Sequence, residues 1–227
     1  MRHLFIGLAV ILSATTAATP IAAAPAAAKA DPAVLKAIED PRRAEKNRAR
    51  DIYRHPAETL AFFDVRKGQT VIEFYPGGGW YTEILAPLLK GNGRYVAMPP
   101  SSAKSLASAK AMLERNKDWF GPVDVVPFDQ TEPLAFPAGT ADRVLTFRNI
   151  HNLIMSGDVI AAKAFADYYA ALKPGGILGV VEHRLPGQRE GEIERLHQAL
   201  DYPSPCHGSW LHPGWRKRDQ RQPERYA

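Results

Sequence analysis

The stretch from Val71 to Leu89 constrains the fold more than any other part of the chain. It opens with a short apolar run carrying one carboxylate, Val71-Ile-Glu-Phe74, and continues through Tyr75 and Pro76 into three consecutive glycines, Gly77 to Gly79. Tyr81, Ile84, Leu85, Leu88 and Leu89 then recur at helical spacing. The pattern predicts strand, tight loop, helix. Adjacent glycines let the backbone take positive φ and approach a ligand closely, and the first helical turn beyond them offers unpaired N–H groups. Glu73, at the end of the strand, is placed to accept hydrogen bonds from ribose or amino groups held above the loop. A glycine-rich turn with no ligand satisfies the same pattern.

The spacing narrows the ligand class. A dinucleotide-binding loop wants Gly-x-Gly-x-x-Gly after the strand and an acid about 20 residues further on. Here the glycines are adjacent and the acid precedes them, which weakens a nicotinamide-dependent oxidoreductase reading. The arrangement resembles the first motif of class I S-adenosylmethionine-dependent methyltransferases, acid-x-Gly-x-Gly-x-Gly. Glu73 matches the acid, Gly77 and Gly79 match the last two glycines, and Tyr75 stands where the first would be. Together with Asp51-Ile-Tyr-Arg-His-Pro56, the stretch from Glu73 to Leu89 resembles a family of predicted bacterial methyltransferases that carry export signals. The resemblance runs from about Arg50 to His183. It implies a Rossmann-like α/β sheet with helices on both faces, S-adenosylmethionine as cofactor, and a cofactor site formed by Glu73, Tyr75, Pro76, Gly77, Gly78, Gly79 and Thr82. It also implies a leading helical segment over the cleft, with Arg54 as a contact.

Residues 1–30 read as a signal peptide: Arg2 and His3 precede an apolar core, Leu4 to Leu12, and an alanine-rich stretch. That core is too short for a permanent membrane span. The expected location is periplasmic or secreted, with roughly 200 mature residues forming one domain. Cys206 is the single cysteine, so the fold needs no internal disulfide. The net charge is +5, with basic clusters at Arg42 to Arg54 and Arg216 to Arg225. In the first cluster Glu39, Asp40, Glu45 and Asp51 interleave with the arginines, which predicts a solvated helix face. Neither zinc spacing nor aromatic interleaving supports a nucleic-acid partner or a metal.

Further along, Gly91-Asn-Gly-Arg94 predicts a turn, Arg94 to Met98 a second strand, and Ser101 the cap of a helix from Ala103 to about Trp119. Methyltransferases of the resembled class usually end that second strand with an acid for the cofactor ribose; here Met98 stands instead. Val123 to Phe128 reads as a third strand, and the resemblance assigns Asp129, just beyond it, to the adenine amino group. An aspartate that simply starts a turn before Pro133 is the alternative. Ala141 to Phe147 is a fourth strand, a helix covers Gly157 to Leu172, and Lys173-Pro-Gly-Gly176 precedes a fifth strand from Ile177 to Glu182.

Ligands of open α/β sheets bind outside the carboxyl ends of the strands, and Arg148-Asn-Ile-His-Asn152 follows the fourth strand there. His151 is the candidate general base, since an imidazole can take a proton near neutral pH, and Asn149 and Asn152 can orient an acceptor. Methyl transfer asks for little beyond positioning and a dry site. Glu182, His183 and Arg184 sit at a second strand end on the side expected to face the acceptor, whose identity the sequence leaves open.

After the fifth strand the pattern breaks. The domain is expected over residues 31–184, and 185–227 form an atypical, largely irregular segment. It has one helix-like stretch, Glu190 to Leu200, and no run that reads as a strand, so the last strands should be missing or altered. A frameshift after about His183 accounts for such a break. The readings that follow are methyl transfer to an unknown acceptor or, alternatively, a non-catalytic ligand-binding protein on the same fold.

Overall fold

The computed structural model describes residues 29–183 and the backbone of residues 215–216. The elements in chain order are α1 (Pro32–Ile38), α2 (Glu45–Arg48), α3 (Asp51–Arg54), α4 (Pro56–Phe62), β1 (Thr70–Phe74), α5 (Thr82–Leu89), β2 (Arg94–Met98), α6 (Ala103–Arg115) and α7 (Lys117–Phe120). They continue with β3 (Asp124–Val125), β4 (Ala141–Phe147), α8 (Ile150–Ser156), α9 (Asp158–Ala171), β5 (Leu172–Val181) and β6 (Trp215–Arg216).

The strands form one sheet in the order β3-β2-β1-β4-β5-β6. The first five run parallel, and β6 pairs antiparallel with β5 through Ile177↔Arg216 and Leu178↔Trp215. This is a Rossmann-like α/β sheet, as the sequence implies. The order reverses between β1 and β4, whose register places Phe74 beside Thr146 on one side and Met98 on the other. The carboxyl ends of those two strands are therefore the switch point at which such sheets bind ligands.

Alternation along the strands builds two cores. Val71, Tyr95, Ala97 and Leu145 face one way and pack with α1, α4, α5 and α7 through Val34, Leu60, Ile84, Leu85 and Phe120. Ile72, Phe74, Val96, Met98 and Val144 face the other way, against Leu153 of α8 and Ala161, Ala164 and Tyr168 of α9. Each fully buried aliphatic side chain contributes about 1.5–3 kcal/mol.

Several local expectations are corrected. The leading segment is four short helices rather than a continuous one: Pro41 follows the end of α1, while Pro56 opens α4 as a proline suited to a first helical turn, with His55 before it at φ 44°. Arg43 is no part of a solvated face. It is 1% exposed, and its guanidinium donates to the carbonyl of Ile38 and to both oxygens of Asp51. Ser102, not Ser101, caps α6, and a break at Asn116 separates α6 from α7. The third strand shrinks to two residues because Pro99, just past β2, has no N–H to donate back to it, although the Val126 N–H still reaches the Ala97 carbonyl; a single bridge, Pro100↔Phe128, resumes the pairing. Lys173 to Gly176 lie within β5 as an irregular stretch. The expectation of no strand after the fifth fails at β6, where two residues are too few to show alternation. The signal peptide, the helix-like stretch Glu190 to Leu200 and the other readings of the terminal segment lie outside the described residues.

Candidate ligand cleft

The loop between β1 and α5 forms the floor of the cleft. Tyr75 has φ 52°, Gly77 φ 56° and Gly79 φ 85°, so the chain leaves β1 through left-handed conformations that side chains resist. The position where the resembled motif has its first glycine thus adopts a glycine-like backbone while holding tyrosine. Its ring stacks on Phe74 at 3.9 Å, and its N–H donates to the Met98 carbonyl at 2.9 Å. Gly77 and Gly78 are exposed. A Cβ built on Gly78 would meet nothing within 4 Å, and one on Gly77 only the Tyr75 carbonyl at 3.9 Å. The backbone here faces open space. Gly79 turns inward, and a Cβ there would lie 3.1 Å from the sulfur of Met112.

Glu73 lies beneath this floor. It is 3% exposed, and its Oε2 accepts from the Tyr95 hydroxyl at 2.5 Å and the Thr82 hydroxyl at 3.1 Å. Burial pushes its carboxyl up to about 7, against the two hydrogen bonds. Burial and the neighbouring carboxylate likewise raise the Tyr95 hydroxyl well above its ordinary range. Thr82 is fully buried in the same cluster. Both residues brace β1, α5 and β2 from below. Sequence reasoning missed Tyr95; the signal available was a tyrosine in the apolar run of β2, whose hydroxyl needs a buried partner.

Asp129 lies beyond β3, and its oxygens are engaged locally. Oδ1 accepts from the N–H and hydroxyl of Thr131 at 2.9 and 2.7 Å and from the Glu132 N–H at 3.2 Å; Oδ2 accepts from Ser101 at 2.8 Å. These bonds, led by that from the Thr131 backbone, hold the carboxyl well below the usual carboxylate range. This is the geometry of an aspartate that starts a turn. Met98 is fully buried at the end of β2.

On the other side of the switch point, Asn149 reaches three carbonyls with its Nδ2: Phe147 at 3.1 Å, Phe74 at 3.3 Å and Tyr75 at 3.4 Å. It therefore ties the end of β4 to the end of β1. The structure brings His151 and Glu182 together, with Nδ1 2.9 Å from Oε1. The other Glu182 oxygen accepts from the N–H groups of Ile150 and His151 at 2.8 and 3.2 Å. Burial disfavours the Glu182 charge, but the N–H of His183 and both contacts to His151 outweigh it, and the carboxyl lies below its usual range. His151 Nδ1 is occupied by Glu182, which fixes the ring, while the imidazole is 43% exposed. The sequence proposed both strand ends without pairing them, because the register that joins β4 to β5 is not visible in either run alone.

No group of three His, Cys, Asp or Glu side chains that could hold a metal occurs among the described residues. The fold and cleft define a doubly wound α/β protein with a glycine floor at its switch point. No family model matches the chain, and no curated protein matches it. Solved structures do resemble it. An S-adenosylmethionine-dependent methyltransferase from Aquifex aeolicus is 20% identical with a TM-score of 0.49, the match covering 76% of this chain and 87% of that one. An arsenic(III) S-adenosylmethionine methyltransferase from Chlamydomonas reinhardtii is 18% identical with a TM-score of 0.46, covering 65% of this chain and 47% of that one. The [4+2]-cyclase SpnF is 19% identical with a TM-score of 0.49, covering 78% of this chain and 63% of that one. Identities this low concern the fold and assign no residue a role.

Proposed function

We propose that the chain is an S-adenosylmethionine-dependent methyltransferase, exported by its N-terminal segment and acting on an acceptor of unknown identity. The observation that carries the proposal is the open backbone of Gly77 and Gly78 at the switch point, opposite an exposed histidine held by a carboxylate. The residues fit the cofactor on one side only. The glycine floor leaves room for a ligand to approach the backbone, whereas the ribose side offers Met98 in place of an acid, fully buried. A missing charged acceptor there lowers affinity by roughly 1.5–3 kcal/mol. Bound in the cleft, S-adenosylmethionine supplies an electrophilic methyl carbon. The chain's own part is to hold the acceptor in line, exclude water and take the acceptor's proton on His151 Nε2, with Glu182 fixing the ring and stabilising the imidazolium. Asn149 holds the strand ends on which both halves stand.

A second reading, a non-catalytic ligand-binding protein, is favoured by Met98 and by the local engagement of both Asp129 oxygens. Calorimetric titration of the chain with S-adenosylmethionine and S-adenosylhomocysteine tests the proposal. Micromolar binding is expected, and Gly78→Val should abolish it: this glycine does not have positive φ, so valine fits the backbone and projects into the open space. Absence of heat from a folded chain would overturn the methyltransferase reading.

A further inference from the structure

Arg54 and Arg148, beside the candidate cleft, form no ion pair with a carboxylate among the described residues, Asp51 acting on Arg54 only from a distance. The Arg54 guanidinium lies 4.6 Å from the centre of the Trp80 ring, and that of Arg43 lies 5.2 Å from the same ring. Their surroundings differ. Arg43 has a two-pronged pair with Asp51, at 2.7 and 2.9 Å. Arg54, at the end of α3, is half-buried, and its guanidinium pairs with no carboxylate among the described residues. The chain thus neutralises the arginine that holds the helices together and leaves the one at the opening charged.

Arg148 stands across the floor. Trp80 packs edge-on against Tyr81 at 4.5 Å, Tyr81 stacks on Phe147 at 3.5 Å, and Phe147 directly precedes Arg148. The backbone of Arg148 has φ 65°, a conformation residues with side chains adopt at a cost and one that recurs at ligand sites. Its Nε donates to His183 Nε2 at 2.8 Å. That acceptor is an unprotonated ring nitrogen, so the contact aims the guanidinium without offsetting its charge. Burial first, and then the charges of Arg50 and Arg148, lower the Arg54 guanidinium from its ordinary value, against smaller opposing effects of Tyr81 and Asp51.

We infer that Arg54 and Arg148 form a binding site for an oxyanion, a carboxylate or a phosphate, at the mouth of the cleft. Planar guanidiniums bind such groups through paired N–H donors, and the face of an indole ring holds one in place beforehand. The anion has two possible sources: the amino-acid end of the nucleoside ligand, or the acid group of a separate acceptor. The site itself does not depend on methyl transfer.

The Trp80 indole N–H donates to the Asn47 carbonyl at 2.8 Å, which gives a fixed reporter under Arg54. The experiment follows its NMR resonance in the full chain as inorganic phosphate is added, against sodium chloride of equal ionic strength. A saturable shift with phosphate is expected, weakened about tenfold or more by Arg148→Gln, which leaves the indole's own contacts in place, and by Arg54→Gln. Arg148→Lys should fall between, and Arg115→Gln, on the exposed face of α6, should change nothing. A shift no different from that with chloride would overturn the inference, as would an Arg148→Gln chain that keeps the wild-type Trp80 resonance and binds phosphate as tightly. Competition identifies the source. If S-adenosylhomocysteine displaces phosphate and 5′-methylthioadenosine, which has no carboxylate, does not, the anion is the nucleoside's own. If both nucleosides bind while phosphate stays, the anion belongs to a separate molecule. If neither nucleoside binds and phosphate does, the oxyanion site stands and the cofactor reading falls.

Discussion

Replacing Glu73 with glutamine should make the protein more stable in alkaline solution and leave it little changed in acid. Glu73 is buried, with two hydroxyls as its side-chain partners among the described residues, and its carboxyl is pushed up from the ordinary 4.5 to about 7. A carboxyl whose folded-state pKa is raised contributes stability in full below its unfolded value, and that contribution is lost as pH rises through the folded value. At about 1.4 kcal/mol per unit, the loss reaches about 3 kcal/mol and is complete above about pH 7. Glutamine keeps an acceptor oxygen for Tyr95 and Thr82 and removes the ionisation. Its amide hydrogens add a cost that does not vary with pH, so the change of the difference with pH is the informative quantity. Urea unfolding at pH 4.5 and pH 8, followed by tryptophan fluorescence, measures it. The gap between variant and wild type should move by about 3 kcal/mol in the variant's favour, a midpoint shift of roughly 1.5 M urea for a slope of about 2 kcal/mol/M. Equal gaps at the two pH values would refute a burial-raised Glu73.

Arg43→Ala should destabilise the fold by about 3 kcal/mol, because it strands Asp51 and empties a fully buried volume beneath Trp80; the same denaturation assay reads it. Gly179→Ala should cost about 1–3 kcal/mol, since a Cβ there would lie 2.6 Å from Leu145 Cδ2 and 2.8 Å from Phe63 Cγ, both in packed core, and thermal unfolding would show it.

The strand, loop and helix from Val71 to Leu89 were legible because each step has a local cause: an apolar run, three glycines, then helical spacing. The fourth strand was legible for the same reason, its span from Ala141 to Phe147 agreeing with the structure. What escaped was whatever depends on a partner distant in sequence. Glu73 reads as a ligand acceptor until Tyr95 and Thr82 are folded against it. Arg43 reads as one more surface cation until Asp51 closes on it. The third strand shows how a neighbour overrides a run of valines, since Pro99, beyond β2, has no N–H to continue the ladder that Val123 to Val126 suggest. In the candidate cleft, the residue types at both strand ends were visible, and the His151–Glu182 contact was not, because it joins residues 31 positions apart.

The Asn149 side chain, with its three carbonyl contacts, acts as a clasp across the open end of the sheet. Phe74 and Tyr75 belong to the wall that a nucleoside would touch, and Phe147 to the wall that carries His151. With the two walls clasped, the opening has its width before anything enters. A guest then meets a rim already ordered, and its binding energy is spared the loss of freedom that a loose rim would impose on each arrival.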